Sequence, residues 1–237
     1  MRVFLVGDIH GNPNIISNSK WPEGKELTQD DLVIFLGDFG LYWSNPADKD
    51  EKYWLNWLAA KPFNIAFVDG NHENFDVINA FPEETKWGGK VGADHRFGGT
   101  IWHLKRGEIF DFNNKKTFVL GGADSIDKAH RSEGFSWWAA EQHSRADETN
   151  ALDNLDKVNW KVDHVLTHTC PNTVISAFLD CPNDPKFRDP VAHFLEFIAN
   201  KLEFKTWDLG HFHNDRSFAD AGGDLFRCHF KLITELK

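Results

Sequence analysis

Runs of four or five apolar residues recur along this chain, each ended by a short polar block, and this constrains the fold more than any other feature. Val3-Phe4-Leu5-Val6 runs into Gly7-Asp8-Ile9-His10, and Leu32-Val33-Ile34-Phe35-Leu36 runs into Gly37-Asp38. Ile65-Ala66-Phe67-Val68 runs into Asp69-Gly70-Asn71-His72-Glu73. A run without polar alternation predicts a strand covered on both faces. Residues 48–60 predict a helix between the second and third runs. Asp48, Asp50 and Glu51 favour its start, Trp54, Trp57 and Leu58 mark its apolar side, and Pro62 stops it. Strand, helix, strand in that order predicts βαβ units and a largely parallel sheet.

Further on, residues 83–135 are glycine-rich, with strand-like pieces at 100–104, Glu108–Phe112 and 117–120 and a turn at Asn113-Asn114. Residues 144–158 predict a helix capped by Ser144, with Asp147 at the capping-box position and Leu152, Leu155 and Val158 on one face. A strand at 162–167 ends at His168. Asp189-Pro190 reads as a cap and first helical position, followed by a stripe of Val191, Phe194, Leu195, Ile198 and Leu202. A strand at 205–209 leads into Gly210-His211-Phe212-His213, and 217–220 with 225–233 predict a closing hairpin around 221–224. With no internal repeat or linker, the 237 residues predict one domain, 1–237, built as a two-sheet sandwich flanked by helices.

Lys and Arg total 26 against 36 Asp and Glu, a net charge of −10. Such a surface repels a phosphate backbone, which disfavours broad nucleic-acid binding and a nuclease role. Cys170, Cys181 and Cys228 have no metal-type spacing and are expected to be reduced thiols in a cytoplasmic chain. Residues 2–6 are too short for a signal-peptide core, and no stretch has the length of a membrane span.

The polar blocks carry the chemistry. They offer two carboxylates (Asp8, Asp38), one amide oxygen (Asn71) and four imidazoles (His10, His168, His211, His213), a donor set suited to divalent metals. Two ions can share these groups if one carboxylate bridges. Two dications against two aspartates leave a positive excess, so an acidic protein can still attract a phosphate there. A water between two metals ionises near neutral pH and can attack phosphorus in line. His72, beside Asn71 but pointing the other way along an extended segment, is placed to give the leaving oxygen its proton.

These blocks, in this order from Asp8 to His213, resemble the calcineurin-like metallophosphoesterase superfamily. The resemblance implies two stacked mixed β-sheets flanked by helices, a metallophosphoesterase-type αββα sandwich. It implies one metal held by Asp8, His10, Asp38 and His213, and a second held by Asp38, Asn71, His168 and His211. Asp38 would bridge, and His72 would match the family's proton donor. The metals implied are manganese, iron, zinc or nickel, and the activity is hydrolysis of phosphate mono- or diesters by a metal-bridging hydroxide. Two arginines that grip phosphate in the protein-phosphatase branch are absent: Gly37-Asp38 continues as Phe39-Gly40-Leu41-Tyr42, and Asp69 precedes Gly70. The paired His211 and His213 instead resemble the phosphodiesterase-like branch.

The expected substrate is therefore a small phosphorylated compound. A phosphoprotein (Ser/Thr) phosphatase and a catalytically silent scaffold of the same fold are the rival readings. The segment from Gly121-Gly122-Ala123-Asp124-Ser125 through Arg131 to Trp137-Trp138 is expected to form a rim over the metals. Arg131 is expected either to touch the substrate phosphate or to pair with Glu133 or Asp127. Glu73 reads as a helix-start residue. His95, His103, His130, His143, His164, His193 and His229 follow no ligand pattern, and the tryptophans are read as packing residues.

Overall fold

The computed structural model describes residues 1–178, 189–220 and 222–237. The first half of the chain supplies β1 (Val3–Val6), β2 (Leu32–Leu36), β3 (Asn64–Val68), β4 (Glu83–Lys86), β5 (Gly89–Asp94) and β6 (Ile101–Leu104). The chain then supplies β7 (Glu108–Phe112), β8 (Lys115–Leu120), β9 (His164–Thr167), β10 (Thr206–Leu209), β11 (Arg216–Ala219) and β12 (Leu225–Cys228). A last short strand, β13 (Thr234–Glu235), returns to the first sheet and pairs antiparallel with β1. Among the described residues the sheets run β13-β1-β2-β3-β6-β5-β4 and β11-β12-β10-β9-β8-β7. Each has a parallel centre, β1-β2-β3-β6 in one and β12-β10-β9-β8 in the other, with antiparallel strands outside it. The sheets are thus mixed rather than largely parallel.

The continuous apolar runs follow from this layering. Val3 and Leu5, with Leu32, Ile34 and Leu36, point into a core between the two sheets. Phe4, Val6, Val33 and Phe35 point the other way, against α1 (Lys49–Ala59) and α2 (Phe75–Ile78). On the outer face of the second sheet, Phe118, Val165, Trp207 and Phe226 pack with α3 (Arg145–Lys157), α4 (Asn172–Phe178) and α5 (Pro190–Ala199). β1, β2 and β3 are covered on both faces, so polar alternation has no place in their runs, whereas β10 and β12 of the second sheet carry Thr206, Asp208 and Arg227 on one face.

The helix signals were legible. Asp48 accepts from Asp50 and Glu51 N–H while Glu51 reaches back to the cap backbone, and Ser144 and Asp147 form the same reciprocal box on α3. On α1 it is Leu55 and Leu58 that are buried, whereas Trp54 and Trp57 are half-buried at the margin. Asn113 and Asn114, at φ of 58° and 62°, make the tight turn between β7 and β8. β4 and β5 carry no apolar run: Glu83–Lys86 is an exposed edge, and Gly89–Asp94 contains two glycines. The closing hairpin is shorter than expected, because β12 ends at Cys228 and residues 229–233 cross to the other sheet; position 221 of its turn lies outside the described residues. Cys170 and Cys228 are free thiols, and Cys181 also lies outside the described residues. Among the described residues no helix is long and apolar enough to cross a membrane.

Candidate metal centre

Parallel centre strands from both sheets end on one side of the molecule, and the loops that follow β1, β2, β3, β9 and β10 carry Asp8 and His10, Asp38, Asn71 and His72, His168, and His211 and His213. Backbone bonds weave these loops together. His10 N–H donates to Asp38 O (2.9 Å) and Gly11 N–H to Phe39 O (2.9 Å). Asn71 and His72 N–H both donate to Asp38 Oδ1 (3.0 and 2.9 Å), and His211 N–H donates to Asp8 Oδ1 (2.8 Å). The packing is so close that a Cβ on Gly70 would overlap Asp38 Oδ1, and one on Gly210 would overlap Asp8 Oδ1. His10, Asp38, His211 and His213 have φ of 42°, 45°, 67° and 49°, a left-handed backbone that costs free energy for residues with a Cβ. Such strain collects where surrounding structure enforces a functional geometry.

One set of donors converges fully. Ligand atoms of Asp8, His10, Asp38 and His213 all lie within 4.8 Å of one another. His10 Nε2 and His213 Nε2 are 3.0 Å apart, and His213 Nε2 is 3.0 Å from Asp8 Oδ2. His10 Nε2 lies 3.9 Å from Asp8 Oδ2 and 3.8 Å from Asp38 Oδ2. Four donors about 2.0–2.2 Å from a common ion would be spaced about 3–4 Å from each other. Asp8 Oδ2 is buried and has no hydrogen-bond partner among the described residues. A buried carboxylate oxygen left unpaired beside two imidazole nitrogens suits a cation ligand.

The second set gathers on the other oxygen of Asp38. His168 Nε2 is 3.2 Å from Asp38 Oδ1 and 3.2 Å from Asn71 Oδ1. His168 Nδ1 donates to Leu36 O (2.8 Å), which orients the ring with Nε2 toward the cluster. The His211 ring lies edge-on to His168, with centroids 4.9 Å apart. Asp38 therefore stands between the two groups, Oδ2 toward one and Oδ1 toward the other.

Electrostatics follows burial. Burial alone would raise the Asp38 carboxyl, but the facing His168 outweighs it and holds Asp38 well below the usual carboxylate range. The reciprocal pull of Asp38 and Asp8 raises His168 against its own burial. Burial and the His168 charge push His211 down to about 4, which leaves its lone pair free at neutral pH. The facing Asp8 carboxylate raises the His213 imidazole.

Around this cluster, His72 sits 5.3 Å ring to ring from His10, and burial lowers its pKa. Arg131 Nη1 donates to His72 Nδ1 (3.2 Å) and to Ser136 O (3.2 Å), and Nη2 pairs with Asp127 (2.8 Å). Of the partners expected for this arginine, the structure shows the ion pair with Asp127, and the same side chain also reaches the His72 ring. A guanidinium only donates, so the His72 proton stands on Nε2. Trp138 is a packing residue, buried in the core under α2 with its N–H on Asp76 (2.8 Å).

Three residues of this region lacked a sequence signal. Glu73 is not a helix-start residue: Asn74 caps α2, and Glu73 lies buried beneath the cluster, accepting from Phe39 N–H (2.7 Å) and Gly40 N–H (3.1 Å). Burial, together with the charge of Asp38, pushes its carboxyl up to about 8. Ser125 and Glu141 are buried behind Asn71. They lie 16 residues apart in separate segments, a loop and a short turn, so no local pattern joins them.

A model of the calcineurin-like phosphoesterase family matches residues 1–224. No curated protein matches the chain. Among solved structures, a phosphopantetheinyl hydrolase from Mycobacterium tuberculosis aligns over 97% of this chain and 90% of its own, at 15% identity and a TM-score of 0.48.

Proposed function

The chain belongs to the calcineurin-like phosphoesterase family, whose members are metal-dependent hydrolases, and from that membership we propose that it cleaves small phosphate mono- or diesters at a two-ion centre. One ion would be held by Asp8, His10, Asp38 and His213, and the other by Asp38, Asn71, His168 and His211. The observation that carries this reading is the placement of Asp38, whose two oxygens face two separate groups of donors. When bound, two divalent ions supply the acidity that ionises water near neutral pH and the positive charge that a phosphoryl group needs.

The chain's own residues do the rest. His72 carries its proton on Nε2 because Arg131 occupies Nδ1. Full proton transfer requires a cationic imidazole, so Arg131 must release Nδ1 first. A phosphoryl oxygen of the substrate is the group that would draw the guanidinium away, which couples phosphate binding to the readiness of His72 as acid. Asp127 keeps hold of the other guanidinium nitrogen and limits the swing.

Assays with manganese, nickel or zinc on aryl phosphate mono- and diesters and on a phosphopeptide panel test this. Metal-dependent turnover of the small esters above that of the phosphopeptides is expected. A fully metal-loaded protein inert on every ester would favour the silent scaffold, and a preference for phosphopeptides would favour the protein phosphatase.

A further inference from the structure

We propose that Ser125 and Glu141 are positioning residues that lock the side-chain amide of Asn71, oxygen inward, for the second ion; this rests on the two-ion reading above. Both residues come from the rim segment and its continuation, and both are buried, Ser125 at 2% exposure and Glu141 at 0%. The Glu141 carboxylate grips Ser125 twice, accepting its backbone N–H at Oε1 (2.8 Å) and its hydroxyl at Oε2 (2.7 Å). Asn71 Nδ2 donates to Ser125 Oγ (3.1 Å), and Asn71 Oδ1 faces His168 Nε2 (3.2 Å).

The lock follows from counting donors. An ionised carboxylate only accepts, and a serine has a single O–H. Glu141 takes that hydrogen, so Ser125 Oγ shows Asn71 nothing but lone pairs. Only the NH2 end of the amide can meet lone pairs, so Oδ1 must turn toward His168 and Asp38. A flipped amide would oppose Oδ1 to Ser125 Oγ and aim two N–H groups at a cation. Asn71 adds an oxygen ligand without adding charge, and nothing in the amide itself decides which end serves. The deciding information lies two bonds further back, in the fixed polarity of Glu141.

Glu141→Gln is the sharper test because it preserves shape. Its carbonyl would keep the Ser125 N–H, and its NH2 would donate to Ser125 Oγ, freeing the hydroxyl hydrogen to point at Asn71. Amide orientation would then be unspecified. Ser125→Ala removes the contact altogether. The measurement is calorimetric titration of Mn2+ into metal-free wild type, Glu141→Gln, Ser125→Ala and His168→Ala, with thermal unfolding of each metal-free protein. Wild type is expected to show two binding events. In Glu141→Gln and Ser125→Ala one event should keep its affinity and the other weaken by about 10–100-fold, as loss of an outer hydrogen-bond partner of a ligand does. The weakened event should be the one that His168→Ala removes. Two unchanged events in both variants, or equal weakening of both events, would overturn the lock. Fewer than two events in wild type would overturn the two-ion reading and the lock with it.

Discussion

Two of the buried clusters of aspartate and histidine among the described residues differ in where their lone pairs go. Asp208, on β10, accepts from Arg227 Nε (2.7 Å), His229 Nε2 (2.7 Å) and Thr206 Oγ1 (2.9 Å), while His229 Nδ1 meets Thr234 Oγ1 (3.0 Å). Its carboxylate is answered by protein groups and ties the second sheet to β13 of the first. At the strand ends, Asp8 Oδ2 has no hydrogen-bond partner among the described residues, and two imidazole nitrogens face one another at 3.0 Å. The residue types are the same in both places. Internal satisfaction marks structure, and convergent unsatisfied donors mark a site for something else.

The most severe expected effect is at the shared ligand. Asp38→Asn should abolish turnover and leave at most one ion bound per chain. His72→Ala comes next: ions retained, kcat lowered by about 10²–10⁴-fold, most for poor leaving groups. Loss of ions in that variant would move His72 from acid to ligand. Asp208→Ala should do the reverse of Asp38→Asn, keeping both ions while costing about 3–5 kcal/mol of folding stability in denaturant titration, because the buried His229 and the half-buried Arg227 lose their carboxylate. A loss of bound metal without loss of stability would erase the distinction between the clusters.

Smaller effects sharpen the same contrast. Arg131→Ala should raise KM by about 10-fold through a lost charged hydrogen bond to phosphate. It also removes one of the charges that lower His72, so the falling alkaline limb of kcat should move to higher pH. At the acid end, burial would raise Asp208, but its bonds from His229 and Arg227 hold it below the ordinary range. A depressed folded pKa gives stability that is present above the unfolded value near 3.9 and lost as pH falls through the folded value. The metal-free protein should therefore lose stability below about pH 4, and Asp208→Ala should flatten that decline.

Much of this was legible in the sequence because the central strands β1, β2 and β3 are covered on both faces. An uninterrupted apolar run such as Leu32–Leu36 has one structural reading when a glycine and an aspartate end it, and the ligands follow from the same boundaries. β4 was not legible, since an exposed edge strand of Glu, Glu, Thr and Lys carries no burial pattern. Nor were Glu73, Ser125 and Glu141, whose roles depend on partners far away in the chain; Glu73 holds Phe39 from 34 residues on. The segment around Arg131 could be seen to be too polar for the core, yet which groups it touches, His72 and Asp127 both, is a matter of tertiary contact alone.

Metal content decides between the two kinds of cluster. Elemental analysis of wild type, Asp38→Asn and Asp208→Ala after equilibration with excess Mn2+ and removal of free ion should give two ions, at most one, and two. One ion or none in wild type, or a full pair retained by Asp38→Asn, would mean that the strand-end cluster is only another buried polar network.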